Sequence, residues 1–209
     1  MTPKLISVLI VTHNDAGVLP QCLESIQQQD YPSIECIIVD NASTDNTKCI
    51  LASLNGTYRI FLNGTNGGFA ASQNQALSHA RGEWILFLNP DVILSRNFIT
   101  EMVAAADAEP SIGMVSGKLL RWSPAENPPL TNIIDSTGIF FRRNLRHLDR
   151  GSEEVDRGQY DQPAYVFGVT GAAALHRRRM VRINGFPALF VLLASFVSLM
   201  GSGRIHRIA

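Results

Sequence analysis

Leu86-Phe87-Leu88-Asn89-Pro90-Asp91 decides the fold of this chain, because an apolar run ends abruptly on two polar residues and a proline. A short, continuous apolar run that ends at a turn is typical of a strand buried on both faces of a sheet. In α/β proteins, ligands gather at the carboxyl ends of the strands, where Asp91 stands. A carboxylate there suits Mg²⁺ or Mn²⁺ held against a diphosphate. The alternative is that Asp91 is an N-cap opening the next helix.

Strand and helix patterns alternate along the first half of the chain. The predicted strands are 6–11, 35–39, 58–62, 84–88 and 113–119, and the predicted helices are 18–29, 45–54, 69–80 and 98–108. This alternation predicts an α/β fold with a mostly parallel sheet and helices on both faces. Beyond it, we predict a loop at 124–129 and a strand with glycine irregularities at 165–175.

The composition gives the chain no large net charge. Of the 209 residues, 45% are apolar, and 18 acidic side chains balance 18 basic ones, so nothing points to nucleic acid. Two arginine clusters stand out: Arg142, Arg143, Arg146 and Arg150, then Arg177, Arg178, Arg179 and Arg182. Such clusters are usually solvated faces, and the alternative is a surface for an anionic acceptor or a membrane.

The cysteines and the first residues predict a cytoplasmic protein. Cys22, Cys36 and Cys49 have no metal-ligand spacing, and Cys36 lies in an apolar strand, so we expect free thiols in a reducing compartment. The first residues enter a strand pattern without the charged and apolar regions of a signal peptide.

Three predicted strands end in polar signatures that should meet at one edge of the sheet. These are Thr12-His13-Asn14, the segment from Asp40 to Asp45, and Asn89-Pro90-Asp91. Each could simply cap a turn, but together they predict a polar crevice with the carboxylates of Asp40 and Asp91.

Two standard nucleotide motifs are absent from the sequence, G-x-G-x-x-G after the first strand and G-x-x-x-x-G-K-[ST]. A metal held by carboxylate would therefore have to neutralise phosphate. Asn66-Gly67-Gly68 opens a predicted helix and could add backbone N–H groups beside a phosphate, or it could be simple turn chemistry.

Four segments together resemble the successive motifs of family 2 glycosyltransferases, with the rhamnosyltransferase-like branch as the most similar. They are residues 7–14, 39–47, 66–74 and 88–92, and the resemblance covers roughly residues 5–186. It implies a GT-A fold in a domain of residues 1–186, with a nucleotide-sugar-binding half at 1–110 and a partial acceptor-binding half at 111–186. Residues 187–209 form an atypical apolar tail.

The resemblance also implies roles for seven residues around the nucleotide-sugar donor: Thr12, Asn14, Asp40, Asn66, Gly67, Asn89 and Asp91. Thr12 and Asn14 would line the nucleoside pocket, and Asp40 would bind a uracil or thymine base. Asn89 replaces the first carboxylate of the family's D-x-D motif, so Asp91 would carry most of the contact with Mg²⁺ or Mn²⁺. Residues 135–138 resemble a loop before the acceptor region, and residues 168–174 resemble a strand beside it.

The implied reaction is inverting transfer of a sugar from a UDP- or dTDP-linked donor to an acceptor hydroxyl, in bacterial cell-surface polysaccharide synthesis. The acceptor would be a saccharide or a lipid-linked saccharide. The protein would be cytoplasmic or peripheral at the inner face of the membrane. Metal and backbone donors would stabilise the departing diphosphate, and a carboxylate base would take the acceptor proton.

The expected catalytic base is missing from the sequence. Gly185-Phe186 resembles the turn that introduces a Glu-Asp pair in the family, but no acidic residue follows Asp161. Three explanations are open: a frameshift or premature end, a membrane-associated segment, or a core element with the base supplied elsewhere, for instance by Asp135. The apolar run of roughly 14 residues is shorter than the ~20 that span a bilayer. The alternatives to an active enzyme are a non-catalytic nucleotide-sugar-binding remnant and a membrane-associated assembly subunit.

Overall fold

The computed structural model describes residues 3–54, 56–122, 130–143, 146–184 and 198–208. The predicted loop at 124–129, the turn at 185–187 and the apolar residues up to 197 lie outside the described residues. No helix among the described residues has the length and apolar character needed to cross a membrane.

The first half of the chain alternates strands and helices, as the sequence predicts. Its elements are β1 (Ile6–Thr12), α1 (Leu19–Gln27), β2 (Ile34–Asp40), α2 (Thr47–Ala52), β3 (Tyr58–Leu62), α3 (Phe69–His79), β4 (Trp84–Leu88), β5 (Val92–Leu94) and α4 (Phe98–Asp107). The short strand β5 is the only one of these elements that the sequence pattern did not predict. Its three residues are too few to show a period.

The core of the sheet is parallel, in the order β4-β1-β2-β3. The strands are Val-, Ile- and Leu-rich, and every residue of β1 and β4 is buried. Helices cover both faces. Val8 and Ile10 pack in the cluster that contains α1 and α4 residues, whereas Leu9 and Val11 pack against Ala76 of α3. This alternation confirms the predicted α/β fold, because successive residues of a strand point to opposite faces.

The second half adds strands of both directions, and all but β8 and β9 join the same sheet. They are β6 (Met114–Trp122), β7 (Leu130–Ser136), β8 (Ile139–Phe141), β9 (His147–Asp149), β10 (Tyr165–Val166) and β11 (Ala173–Arg177), followed by α5 (Arg178–Asn184) and β12 (Ser198–Ile208). β11 lies between β4 and β6 and is antiparallel to both. β8 and β9 form a separate hairpin.

Two expectations for this half need correction. The strand predicted at 165–175 is two strands, β10 and β11, separated by irregular backbone that contains Gly168 and Gly171. The segment 135–138 is not a loop throughout, since Asp135 and Ser136 belong to β7 and the turn begins at Thr137. Both errors arise because strand pairing with distant residues decides these boundaries.

The end of the described chain belongs to the sheet. Strand β12 runs parallel to β6 and antiparallel to β5 and β10. This pairing is what the core-element explanation of the tail predicts for residues 198–208. It also explains β5, because three residues after Asp91 form a strand only by pairing with residues more than one hundred positions later.

Candidate functional site

The polar ends of β4, β1 and β2 lie side by side at one edge of the sheet. Thr12 is the register partner of Asp40, and β1 separates β2 from β4. Since neighbouring strands are about 4.8 Å apart, the ends of β2 and β4 lie about 10 Å from each other. The three polar strand ends therefore meet as predicted, with Asp40 on one side and the turn containing Asp91 on the other, and we refer to this edge as the crevice.

Asn89-Pro90-Asp91 forms a tight turn between two strands. The Val92 N–H donates to the Asn89 carbonyl at 3.3 Å, and the Asn89 N–H donates to the Ala172 carbonyl at 2.9 Å. The N-cap alternative for Asp91 is wrong, because β5 follows the turn and α4 begins only after Asn97. The second bond brings the glycine-rich segment before β11 against this turn. These two bonds thus fix the backbone of the turn that carries Asp91.

Asp40 ends β2 with its side chain fully buried. Its Oδ2 accepts a hydrogen bond from the Ser43 N–H at 3.1 Å. Its Oδ1 is also buried, and it has no hydrogen-bond partner in the part of the chain that the structure describes. A buried acceptor without a partner costs about 1–3 kcal/mol, and most such atoms in proteins are satisfied. This oxygen is therefore a candidate acceptor for a ligand N–H group.

The loop after β1 is tied to the loop after β2 through Asn14. Its side-chain oxygen accepts from the Thr44 N–H at 2.7 Å and the Asp45 N–H at 3.3 Å. Its own N–H donates to Ser43 Oγ at 2.9 Å, and its φ is 61°. Asparagine tolerates this left-handed backbone better than most residues. The role of Asn14 visible here is to hold the two loops together.

Asp15 and Asp45 anchor the same two loops. Asp15 Oδ2 accepts from Thr12 Oγ1 and from the His13 N–H, both at 2.8 Å. Asp45 Oδ2 accepts from the Ala16 N–H at 3.1 Å. A hydrogen bond from the side chain of Thr47 lowers the pKa of Asp45, so this carboxylate stays ionised in its loop. These contacts fix Thr12 beneath the crevice, where it is fully buried.

Asn41 is a site residue that the sequence reasoning missed. It is 3% exposed, and its Nδ2 donates to Asn66 Oδ1 at 2.7 Å. Its Oδ1 accepts from the Gly67 N–H at 3.1 Å, so one side chain joins the β2 loop to the loop before α3. The available signal was the position of Asn41 directly after Asp40 at a strand end.

The donor atoms at the β4 turn fit a divalent cation. Asp91 offers a carboxylate and Asn89 an amide oxygen, which are hard ligands of the kind that Mg²⁺ and Mn²⁺ prefer. The described residues hold no group of three His, Cys, Asp or Glu side chains positioned to bind a metal. One protein carboxylate completed by phosphate oxygens and water is a common Mg²⁺ arrangement, and Asp91 can serve in it.

Asp135 lies apart from these strand ends, on β7. Its Oδ1 is 3.6 Å from Nε of Arg121, which also pairs with Glu153. β7 pairs with β6 rather than with β4, β1 or β2. Of the residues predicted from sequence, the structure therefore brings together Thr12, Asn14, Asp40, Asn66, Gly67, Asn89 and Asp91 at one sheet edge. It places Asp135 apart from them, on β7.

A known protein is similar to this chain in sequence. A glycosyltransferase of PGL/p-HBAD biosynthesis from Mycobacterium tuberculosis is 33% identical over 158 residues, which cover 70% of this chain and 58% of that protein. The chain thus spans little more than half of this relative's length.

Two solved structures share the fold. TarS from S. aureus in complex with UDP-GlcNAc has a TM-score of 0.71 at 18% identity, covering 98% of this chain and 58% of that one. The mannosyltransferase PcManGT from Pyrobaculum calidifontis in complex with GDP-Man and Mn²⁺ has a TM-score of 0.61 at 22% identity, covering 90% and 48%.

The family model described as glycosyl transferase family 2 matches residues 7–177. This range begins in β1 and ends with β11, and so contains all three strand ends of the crevice together with the glycine-rich segment packed against the Asp91 turn. The fold, the crevice and the sequence match therefore agree, and the chain belongs to glycosyl transferase family 2.

Proposed function

We propose that this chain binds a UDP- or dTDP-linked sugar and transfers the sugar, with inversion, to a hydroxyl of a saccharide or lipid-linked saccharide. The observation that carries the proposal is the buried Oδ1 of Asp40, which lacks a partner among the described residues. The N3–H of uracil or thymine is a donor that would satisfy it. The proposed setting is bacterial cell-surface polysaccharide synthesis by a rhamnosyltransferase-like enzyme, as the sequence resemblance implies.

Each part of the crevice has a role in this proposal. Asp40 would bind the base, Thr12 and Asn14 would shape the nucleoside pocket, and Asn66 and Gly67 would stand beside the donor. Asp91, with Asn89, would hold Mg²⁺ or Mn²⁺, and the metal would neutralise charge on the departing diphosphate. The Mn²⁺ in the PcManGT complex supports metal use in proteins of this fold.

A cytoplasmic location, at or near the inner face of the membrane, completes the proposal. Cys22 and Cys36 are buried free thiols, and burial raises the pKa of both, which keeps them protonated. Free thiols suit a reducing compartment.

Donor binding is tested by titrating the purified chain with UDP, dTDP and GDP in the presence of Mn²⁺. We expect UDP or dTDP to bind more tightly than GDP. Asp40→Asn should weaken that binding by roughly 10- to 100-fold, because a hydrogen bond to a charged group is worth about 1.5–3 kcal/mol. Asp91→Asn should remove the metal dependence. Glu24→Gln, on the exposed face of α1, is the matched control and should change neither property.

Turnover separates the enzyme from its alternative, a nucleotide-sugar-binding remnant. With a panel of donors and acceptors, the enzyme releases the nucleoside diphosphate UDP or dTDP. The remnant binds the nucleotide-sugar but does not release a nucleoside diphosphate from it. Asp135 is the carboxylate that the sequence offers as a base supplied from elsewhere in the chain. Loss of turnover in Asp135→Asn with unchanged nucleotide affinity would assign the base to it. Unchanged turnover in that variant would exclude it.

A further inference from the structure

The hairpin β8–β9 carries exposed aromatic and basic side chains together. Phe141 is 45% exposed, and its ring packs edge-on against the ring of Phe167, 47% exposed, at a centroid distance of 4.2 Å. Beyond Phe141, Arg142 and Arg143 are exposed, as is Arg146 across the turn. Isolated exposed apolar side chains are ordinary, but here two paired rings and exposed arginines form one apolar and basic patch.

The base of the hairpin is held by hydrogen bonds, and Arg142, Arg143 and Arg146 beyond it are exposed. Thr137 is fully buried, and its N–H and Oγ1 both donate to the Arg150 carbonyl at 2.8 Å. Ser136 Oγ donates to Asp149 at 2.6 Å, and the Arg150 N–H donates to the Gly138 carbonyl at 2.8 Å. Because its base is fixed, strand β8 with Phe141 loses little conformational freedom on docking, so more of its contact energy is available for binding.

Charge decides the chemistry of the partner. Between Gly138 and Leu148 the sequence has three arginines and no acidic residue. The second arginine cluster differs, because Arg177 donates to the carbonyls of Ala106 and Ile112, and Arg178 donates to that of Arg81. Those two arginines are engaged in holding the fold together. In the hairpin, Arg142 and Arg143 are exposed and follow directly on the exposed ring of Phe141.

We propose that the β8–β9 hairpin is a docking element for an anionic lipid bilayer. The arginines bind lipid phosphates, while Phe141 and Phe167 enter the boundary between headgroups and acyl chains. Basic and apolar contacts combined in this way give stable yet reversible attachment, whereas either one alone is weak. Each arginine near an anionic surface contributes roughly a fivefold gain in partitioning.

The test is co-sedimentation of the purified chain with vesicles of equimolar phosphatidylglycerol and phosphatidylcholine, and with vesicles of phosphatidylcholine alone. We expect binding to the anionic vesicles only, weakened by salt. The double variant Arg142→Ser, Arg143→Ser should bind about 25-fold more weakly. Phe141→Ser should bind about tenfold more weakly. The double variant Arg142→Lys, Arg143→Lys should retain most of the binding to anionic vesicles.

A matched control is the double variant Arg157→Ser, Arg179→Ser, which removes the same charge from exposed positions elsewhere and should bind like the unaltered chain. An equal loss in this control would overturn the proposal, as would equal binding to phosphatidylcholine. So would retention of the chain by a soluble polyanion such as heparin without vesicle binding. Nucleotide affinity, measured on the same variants, should not change, which separates this proposal from that of donor binding.

Discussion

The donor crevice and the lobe of residues 130–168 are held together in different ways. In the crevice, side chains at strand ends bond to backbone groups of the adjacent loop, as Asp40 does with Ser43 and Asn14 with Thr44. The lobe is tied to the sheet by charged pairs between residues far apart in sequence. Lys118 of β6 is 3% exposed and lies 2.7 Å from Asp156 and 2.5 Å from Asp161.

This difference indicates that the lobe can be destabilised while the crevice keeps its structure. Bonds at strand ends depend on the parallel sheet alone, so the crevice should survive damage to the lobe. The lobe is joined to β6 by the pairing of β7 and also by one buried cation, since the Asp156 side chain is itself buried against Lys118. The following predictions test that separation, from the largest expected effect to the smallest.

Lys118→Met should destabilise the protein by about 3–5 kcal/mol, because it leaves the buried Asp156 carboxylate without its cation. For a chain of this size, the loss corresponds to a fall in the melting temperature of about 10 °C. Below the transition, nucleotide affinity should stay unchanged. Lys48→Met, at an exposed position on α2, is the control and should have little effect. A large loss of nucleotide affinity would show that crevice and lobe are not separable.

Lowering the pH should destabilise β11, the strand that joins the two regions. His176 lies on β11, which joins β4 to β6, and burial lowers its pKa from 6.5 to about 4. Between these pH values the unfolded chain binds a proton that the folded chain does not, so stability falls as the pH falls. The loss amounts to at most about 3 kcal/mol.

Urea unfolding at a series of pH values measures this effect. His176→Gln should flatten the dependence between pH 6.5 and 4. His147→Gln, at an exposed position of β9, should show the same pH dependence of the free energy of unfolding as the unaltered protein. An identical slope in His176→Gln would refute the assignment.

Asn41→Ala should weaken nucleotide binding by about tenfold or more, because it removes both bonds that hold the Asn66–Gly67 loop. The fold should persist, since the strands of the parallel sheet do not depend on this side chain. Calorimetric titration with UDP or dTDP and Mn²⁺ measures the effect. Asn63→Ala is a useful control. Asn63 lies in the same connection between β3 and α3, but its side chain bonds to Gln75 of α3 and not to Asn41, Asn66 or Gly67. Equal losses from both variants would contradict the role of Asn41.

Ala42→Gly should give the smallest change, a stabilisation of up to about 1 kcal/mol. Ala42 has a φ of 63°, in the left-handed region that glycine adopts without strain. The gain is reduced because glycine also gives the unfolded chain more freedom. Chemical unfolding measures it, and a loss of stability would show that the Ala42 methyl group contributes more packing than its backbone costs.

Local patterns predicted the parallel half because its determinants are short-range. Leu86–Leu88 reads as a buried strand, and Asp40 and Asp91 follow strands that any doubly wound sheet brings to one edge. The roles of Asn41 and Lys118 could not be predicted in this way. Lys118 sits in a strand pattern, and its partners lie 38 and 43 residues later.

The sequence by itself determined the α/β class and the three polar strand ends, because strand and turn preferences act over a few neighbouring residues. The resemblance to family 2 glycosyltransferases, also carried by the sequence, supplied the seven residues named at these strand ends. Tertiary structure decided which strand follows Asp91, where β7 and β11 begin, and what surrounds Asp40 Oδ1. It also decided that Arg142 and Arg143 are exposed, whereas Arg177 and Arg178 donate to backbone carbonyls. These outcomes depend on contacts between residues distant along the chain, which no local preference encodes.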